Sequence, residues 1–201
     1  PFRESLSRLG REFVDEHPSG RFNMNPLFKT TPNKDAVMPD PNMADTPQHT
    51  AWFAFFGRLL GYFLVTVDVL AADFSPLFWR MLLGDAVTSS DLWSVDRSLK
   101  QTVDMAGDMT FDELEDYFPG IVDYATSLTP RPDEELSREV KVQAVIDNEL
   151  RRYERCMEAI RSGFNAVVPA AQARALHWAD VRDIICGQPV VTVDALRAAC
   201  N

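Results

Sequence analysis

The sequence is poor in the residues that crosslink small folds or bind metals, with three cysteines and three histidines among 201 residues. An odd number of cysteines cannot pair completely, and no two have Cys-x-x-Cys spacing. The histidines are scattered, so no set of four zinc ligands is evident. This excludes a disulfide framework, predicts no metal and no cofactor, and favours reduced thiols in the cytoplasm. The residues concerned are Cys156, Cys186, Cys200, His17, His49 and His177.

Basic residues are also scarce. Lysine and arginine together number 20 against 30 aspartates and glutamates, which gives a net charge of −10. Proteins bind nucleic acids largely by neutralising phosphates with basic side chains, and anionic membranes attract basic segments in the same way. The composition therefore predicts neither a nucleic acid nor a membrane as partner. It favours solubility and a basic protein partner.

No uninterrupted hydrophobic run is long enough to span a bilayer. The longest apolar stretch, Ala51–Val67, carries Arg58 near its middle, whereas a spanning helix needs about 20 residues without such a charge. We therefore expect a buried helix, in which Gly57 and Gly61 allow another backbone to pack closely. The chain also opens without a positive and apolar leader, so no signal peptide is expected.

Strand signals are few, so we predict a mainly α fold (α+β with few short strands) of about one domain. Four prolines in Thr30–Gln48 indicate an extended surface loop. A short strand is expected in Phe22–Phe28, and a linker in Thr126–Asp133. Helices are predicted over Phe2–Val14, Thr50–Val67, Pro76–Leu83, from Thr88 through Trp93, from Asp96 through Ala106, over Glu134–Ser162, Val181–Cys186 and Val193–Cys200.

Some helix ends are marked by local signals. Ser75 is placed to cap a helix that has Pro76 in its first turn, and Gly84 is placed to end it. Thr88 and Asp91 have the spacing of a capping box, with aspartate in place of the usual glutamate.

No local motif for catalysis is present: there is no phosphate-binding glycine loop, nucleophile elbow or zinc helix. Cys186 has apolar neighbours at a predicted helix end, which favours a buried structural thiol. Charged neighbours of Cys156 could lower the pKa of its thiol. His177, next to Trp178, is typical of a packing or capping residue. A hydrolase that uses Cys156 and His177 remains an alternative based on residue types alone.

An acidic and aromatic segment is the clearest candidate for a binding surface. Its run of acids is typical of a solvated face, but Tyr117 and Phe118 adjoin it, and aromatic residues rimmed by acids could dock a basic protein. The acids are Asp112, Glu113, Glu115 and Asp116.

Several phrases in order resemble the N-lobe of a HECT-type E3 ubiquitin ligase, and among these the large HERC-type members. The resemblance covers nearly the whole chain and depends on the shared order and spacing of the phrases. They are Phe2–Leu6, Pro26–Phe28, Thr31–Asn33, Trp52–Gly61, Phe74–Gly84, Asp91–Asp96, Ala159–Phe164, Val168–Pro169 and Asp183–Gly187.

The resemblance implies a part in ubiquitin transfer. In that family the N-lobe recruits a ubiquitin-charged E2 enzyme, and a C-lobe cysteine accepts ubiquitin as a thioester and passes it to a substrate lysine. By the same resemblance none of the three cysteines here is catalytic, and this chain alone is expected to be inactive. The implied partners are an E2, ubiquitin and protein substrates. The implied parts are a large helical subdomain (1–95), a small E2-binding subdomain (96–140) and a return segment of the large subdomain (141–201).

The resemblance also places a groove for an aromatic side chain of the E2. Leu99 and Val103 match the helix after the Asp-x-x-Leu phrase, Tyr117 and Phe118 fall near an apolar strand, and Val140 meets a position that is aromatic in well-known members. The family's Val-Thr-x-x-Asn phrase before the long helix has no counterpart here. A second hypothesis is therefore a non-catalytic HECT-like scaffold or regulatory module.

Overall fold

A computed structural model describes Glu4, Ser5, Arg8 and residues 27–43, 46–70, 72–128 and 137–187. The helix predicted over Phe2–Val14 lies outside these residues except for Glu4, Ser5 and Arg8. The helix predicted over Val193–Cys200 lies outside them entirely. Across the described residues the predicted mainly α fold is confirmed, with a single small antiparallel sheet. No helix within them combines the length and the apolar character needed to cross a bilayer.

The described chain begins with two short strands and continues as helices. The strands are β1 (Phe28–Thr30) and β2 (Val37–Pro39), followed by a 3₁₀ turn at Pro41–Met43. The helices are α1 (Pro47–Thr66), α2 (Pro76–Leu83), α3 (Ser89–Val95), α4 (Arg97–Ala106), α5 (Phe111–Tyr117), α6 (Ile121–Leu128), α7 (Arg138–Asn165), α8 (Ala170–Ala173) and α9 (Trp178–Cys186).

The predicted surface loop Thr30–Gln48 is wrong in its first half, which contains part of a β-hairpin. β1 pairs with β2 so that Phe28 lies opposite Pro39. The ring of Phe28 packs against Phe53 and Phe56 of α1, with centroids 6.0 and 4.7 Å away. These contacts anchor the hairpin on the core, so that segment is held by distant aromatic residues despite its prolines.

The predicted helix ends are confirmed where local capping signals mark them. The Ser75 hydroxyl accepts a hydrogen bond from the amide of Phe78, and Gly84 ends α2 with a left-handed backbone. The Asp91 carboxylate accepts hydrogen bonds from both the amide and the hydroxyl of Thr88 at 2.8 and 2.9 Å. These bonds satisfy amides that a helix N-terminus would otherwise leave unpaired.

Two hydrophobic clusters share the long helix α7. The C-terminal half of α7 packs with α1 and α2 in a large cluster rich in phenylalanine, which also contains Trp79. The N-terminal half packs in a second, smaller cluster with α4, α5 and α6. That second cluster consists of Val103, Ala106, Leu114, Phe118, Ile121, Ala144, Val145 and Ile146.

Candidate functional site

A cleft of about 360 Å³ lies between the β-hairpin and the helices of the second cluster. Its floor and walls come from four places: the hairpin and the 3₁₀ turn, the junction of α3 with α4, the C-terminal end of α5, and the middle of α7. The main lining residues are Lys29, Thr31, Met38, Asp40, Asn42, Leu92, Val95, Asp96, Leu99, Tyr117, Phe118, Glu149, Arg152 and Tyr153.

The structure brings three of the five predicted groove residues together in this cleft. Leu99, Tyr117 and Phe118 all line it. Val103 is 1% exposed inside the second cluster, and Val140 is 41% exposed on α7 but does not line the cleft. The sequence-derived set therefore divides into three cleft residues, one core residue and one surface residue elsewhere.

Adjacent residues Tyr117 and Phe118 have opposite roles. Tyr117 is 62% exposed, whereas Phe118 is 2% exposed and belongs to the second cluster. A partner can therefore reach most of the Tyr117 side chain but only an edge of Phe118. Of the two, the tyrosine forms part of the surface of the cleft, and the phenylalanine forms part of the second cluster.

Within the described residues 107–128 no strand lies near Tyr117 and Phe118, and the expected apolar strand is corrected to a helix. α5 ends at Tyr117, and its start is fixed by a reciprocal capping box. The Glu113 carboxylate accepts from the Thr110 amide at 2.7 Å, and the Thr110 hydroxyl accepts from the Glu113 amide at 3.3 Å. The hydrogen bond from the Thr110 amide, helped by the Thr110 hydroxyl, holds the pKa of the Glu113 carboxyl below its usual value. This local pairing favours a helix here.

Glu115 holds the segment that follows Tyr117 in place. Its two carboxylate oxygens accept hydrogen bonds from the amides of Gly120 and Val122, at 2.7 and 3.0 Å. Gly120 has a φ of +85°, so the chain turns sharply between α5 and α6. The two amides, that of Gly120 first, lower the pKa of the Glu115 carboxyl. One side chain of α5 thus caps α6 and fixes the turn beside the cleft.

Leu99 is placed by the caps at the start of α4. The Asp96 carboxylate accepts from the amides of Ser98 and Leu99, at 2.9 and 3.2 Å. Asp96 is at once the last cap of α3 and the first cap of α4. Leu99 therefore lies in the first turn of a helix whose start is fixed at the cleft.

Four of the five charged side chains that line the cleft form two ion pairs, and the fifth, Asp96, caps α4. Lys29 forms an ion pair with the buried Asp40, and Arg152 forms one with Glu149 at 2.8 Å. Burial raises the pKa of Tyr153 to about 12, so its hydroxyl is neutral at physiological pH. The two ion pairs line the same cleft as Leu99 and Tyr117. Sequence reasoning missed the contribution of the hairpin, since Lys29 and Asp40 lie far from α4 in sequence.

The hydrolase alternative based on Cys156 and His177 is not supported. Cys156 is fully buried, and burial raises the pKa of its thiol to about 11. Burial likewise raises the pKa of Cys186 to about 12. Neither thiol is ionised near pH 7, as a nucleophile requires. Nδ1 of His177 accepts from the amide of Ala179 at 3.3 Å, which confirms the predicted capping role. Cys200 lies outside the described residues, and within them no three metal-binding side chains cluster.

Comparisons with a family model and with individual proteins both relate this chain to E3 ubiquitin-protein ligases. A family model described as HECT-domain (ubiquitin-transferase) matches residues 19–201. The chain is 26% identical to the human E3 ubiquitin-protein ligase HERC2 over 221 aligned positions, which cover 100% of this chain and 4% of that protein. It is 24% identical to the Arabidopsis thaliana E3 ubiquitin-protein ligase UPL1, covering 86% of this chain and 5% of that protein. It is 26% identical to the E3 ubiquitin-protein ligase RSP5 of Chaetomium thermophilum, covering 77% and 20%. The chain thus spans a small part of the length of each of these relatives.

Proposed function

Because the chain belongs to the HECT-domain (ubiquitin-transferase) family, we propose that it is an N-lobe that docks a ubiquitin-charged E2 enzyme. The whole protein would then act as an E3 ligase, passing ubiquitin from the E2 through a cysteine outside this chain to a lysine of a protein substrate. The observation that carries the proposal is the meeting of Leu99, Tyr117 and Phe118 in one open cleft.

The chemistry of the cleft fits a docking site better than a catalytic one. An exposed tyrosine beside a half-buried leucine, surrounded by paired charges, resembles the aromatic anchor sites that dominate protein interfaces. The un-ionised thiols of the buried Cys156 and the partly buried Cys186 support the absence of transfer by this chain alone. The same two free cysteines support a cytoplasmic location.

The second cluster supports a small subdomain over residues 96–140, between parts 1–95 and 141–201 of a larger one. Its members in α4, α5 and α6 fall inside that range, and Ala144, Val145 and Ile146 attach it to α7. In this arrangement the cleft lies where the small subdomain meets the hairpin of the large one.

The test is binding of the 201-residue chain to a panel of purified E2 enzymes, followed by NMR titration or calorimetry. We expect at least one E2 to bind, and Tyr117→Ala to weaken that binding by roughly 30-fold, as loss of an aromatic anchor does. Tyr62→Ala is the matched control, since Tyr62 is 51% exposed on α1 and does not line the cleft. Equal loss in both variants would show that the cleft is not the docking site.

A scaffold or regulatory module is the second candidate, and one observation favours it. The segment near Tyr117 is helical where the family resemblance implied a strand, so the surface presented to an E2 differs from the family pattern. If the folded wild-type chain binds no E2 of the panel, this second function is preferred.

A further inference from the structure

One side chain of the β-hairpin reaches the junction of α3 and α4. Asn33 lies in the turn between β1 and β2, and its side-chain Nδ2 donates to the carbonyl oxygens of Ser94 and Trp93, at 2.8 and 3.3 Å. Its Oδ1 accepts from the amide of Arg97 at 2.9 Å. We propose that Asn33 is a positioning residue, which fixes the direction of the start of α4 relative to α3 and so places Leu99 in the cleft.

A single residue joins the two helices at this junction. Asp96 alone separates α3 from α4, in an extended conformation with φ −141° and ψ 103°. The angle between the two helices therefore depends on the two dihedral angles of one residue. The Asp96 side chain caps α4, but it rotates with the junction and cannot tie either helix to the rest of the molecule.

Asn33 supplies that tie because it bonds on both sides of Asp96. The carbonyl groups at the end of α3 and the first amides of α4 are groups that a helix cannot satisfy internally. The Asn33 side chain donates to two of these carbonyl groups and accepts from one of these backbone amides. It does so although Asn33 lies 64 residues before Arg97 in the sequence. Its backbone amide adds a longer bond to the carbonyl of Val95, at 3.4 Å. Rotation about Asp96 would break some of these bonds whichever way α4 moved.

The position of this tie relates it to the cleft. α3 contributes Leu92 and Val95 to the large cluster, while α4 contributes Val103 to the second cluster. Val103 holds the far end of α4. At the near end Leu99 packs against both clusters, and the bond from Arg97 to Asn33 adds a fixed direction to that packing. For its effect on E2 binding, the inference rests on the proposed function.

The experiment measures the helix orientation and E2 binding separately. Residual dipolar couplings of the 201-residue chain report the angle between α3 and α4, and amide exchange reports the bond to Arg97. We expect Asn33→Ala to change the couplings of α4 relative to α3 and to speed exchange at Arg97 about tenfold, the equivalent of one hydrogen bond. Exchange in α1 should stay the same. Binding of an E2 should weaken by a similar factor while the protein remains folded.

Two further variants make the test specific. Lys34→Asn changes an exposed residue of the same turn, at a φ of +60° that asparagine tolerates, and should leave both readouts at wild-type values. Asn33→Asp keeps the acceptor for Arg97 but not the donor for the α3 carbonyls. In this variant the Arg97 amide should therefore exchange as slowly as in wild type, while the couplings of α4 relative to α3 should still change. Asn33→Asp takes the place of Asn33→Ala in the test if the alanine variant does not fold.

The outcomes separate this inference from the proposed function. Unchanged couplings in a folded Asn33→Ala protein overturn the positioning role. If the couplings change but wild type binds no E2, the positioning role stands and the proposed function fails. If wild type binds an E2 and Asn33→Ala binds it equally well, the connection from Asn33 to docking is overturned.

Discussion

A side chain on Gly57 of α1 would collide with the carbonyl group of Ile160 in α7. An added Cβ would lie 2.8 Å from the Ile160 carbonyl carbon and 2.9 Å from the amide nitrogen of Phe164. The contact is matched from the other side, where a Cβ on Gly163 would lie 2.7 Å from the carbonyl carbon of Ala54. The two long helices α1 and α7 therefore touch backbone to backbone at Gly57, as predicted, whereas Gly61 lies closest to the side chain of Val167.

Gly57→Ala should be strongly destabilising. Both neighbours are backbone atoms inside helices, so neither can turn aside, and α1 and α7 would have to move apart. We expect a loss of roughly 3 kcal/mol in the free energy of unfolding, the upper end for overpacking of a core. Urea unfolding followed by circular dichroism measures it.

Gly107→Ala is the matched control for that variant. A Cβ there would also meet another residue closely, but the atoms belong to the flexible side chain of Arg138. Arg138 is more than half exposed, so it can rotate away at the cost of its surface bonds to Asp108 and Asp104. Because exposed ion pairs contribute little, the loss should be about 1 kcal/mol, well below that of Gly57→Ala. An equal effect at Gly57 and Gly107 would contradict the backbone contact.

The fold was predictable where the signals are local. Ser75, Thr88 and Asp96 each mark a helix start by hydrogen bonds to residues within three positions. The hairpin was not predictable in this way, because Phe28 is held by aromatic residues of α1 and by Phe74, at a centroid distance of 5.8 Å. Contacts between distant residues leave no periodic pattern in a three-residue strand.

The candidate site was predictable only in part for a similar reason. Leu99, Tyr117 and Phe118 were expected in one groove and share one cleft, yet the hairpin side of that cleft was not foreseen. The pairing of Thr110 with Glu113 is visible in the sequence and could have indicated the helix α5. The sequence does not show that Tyr117 is exposed and Phe118 is buried, because that difference depends on the packing of Phe118 in the second cluster.

Phe118→Ala should unfold the second cluster and not test docking. Its ring is buried among α5, α6 and α7 residues, and deleting it should cost about 3–5 kcal/mol. Tyr117→Ala, at an exposed site, should change stability by less than about 0.5 kcal/mol. Thermal unfolding of both variants measures the contrast. Similar losses in the two would contradict the division of roles between these neighbours.

Stability should fall in alkali through Cys156. Burial raises the pKa of its thiol from 9.0 to about 11, so the folded state holds the proton more tightly than the unfolded state. The resulting stabilisation is complete below pH 9 and is lost as the pH rises towards 11, by at most about 1.4 kcal/mol per pH unit. Burial also raises the pKa values of Cys186 and Tyr153, so both also cause a loss of stability in alkali. The comparison must therefore be with Cys156→Ala, which retains both of these groups.

Cys156→Ala should be less stable than wild type at pH 8, because a small cavity replaces the sulfur. The gap should narrow between pH 9 and pH 11, since only wild type loses the thiol contribution. Urea unfolding at intervals of one pH unit gives the two curves. A gap that stays constant over this range would show that Cys156 does not titrate as its burial requires.

Glu115→Gln should loosen the turn that presents Tyr117 to the cleft. The carboxylate accepts from the amides of Gly120 and Val122, whereas glutamine has one oxygen and no charge, so one amide loses its partner. The pKa of Glu115 is lowered in the folded state, so its contribution is present above the ordinary value of 4.5 and is lost as the pH falls below it. Melting temperature should therefore be lower in Glu115→Gln than in wild type at pH 7, and the difference should shrink by pH 3.5.

Asp116→Asn is the control, since it removes the same charge from the exposed neighbouring residue and should lower the melting temperature less at pH 7. Equal effects of the two variants would mean that charge alone matters and that the hydrogen bonds to the turn do not.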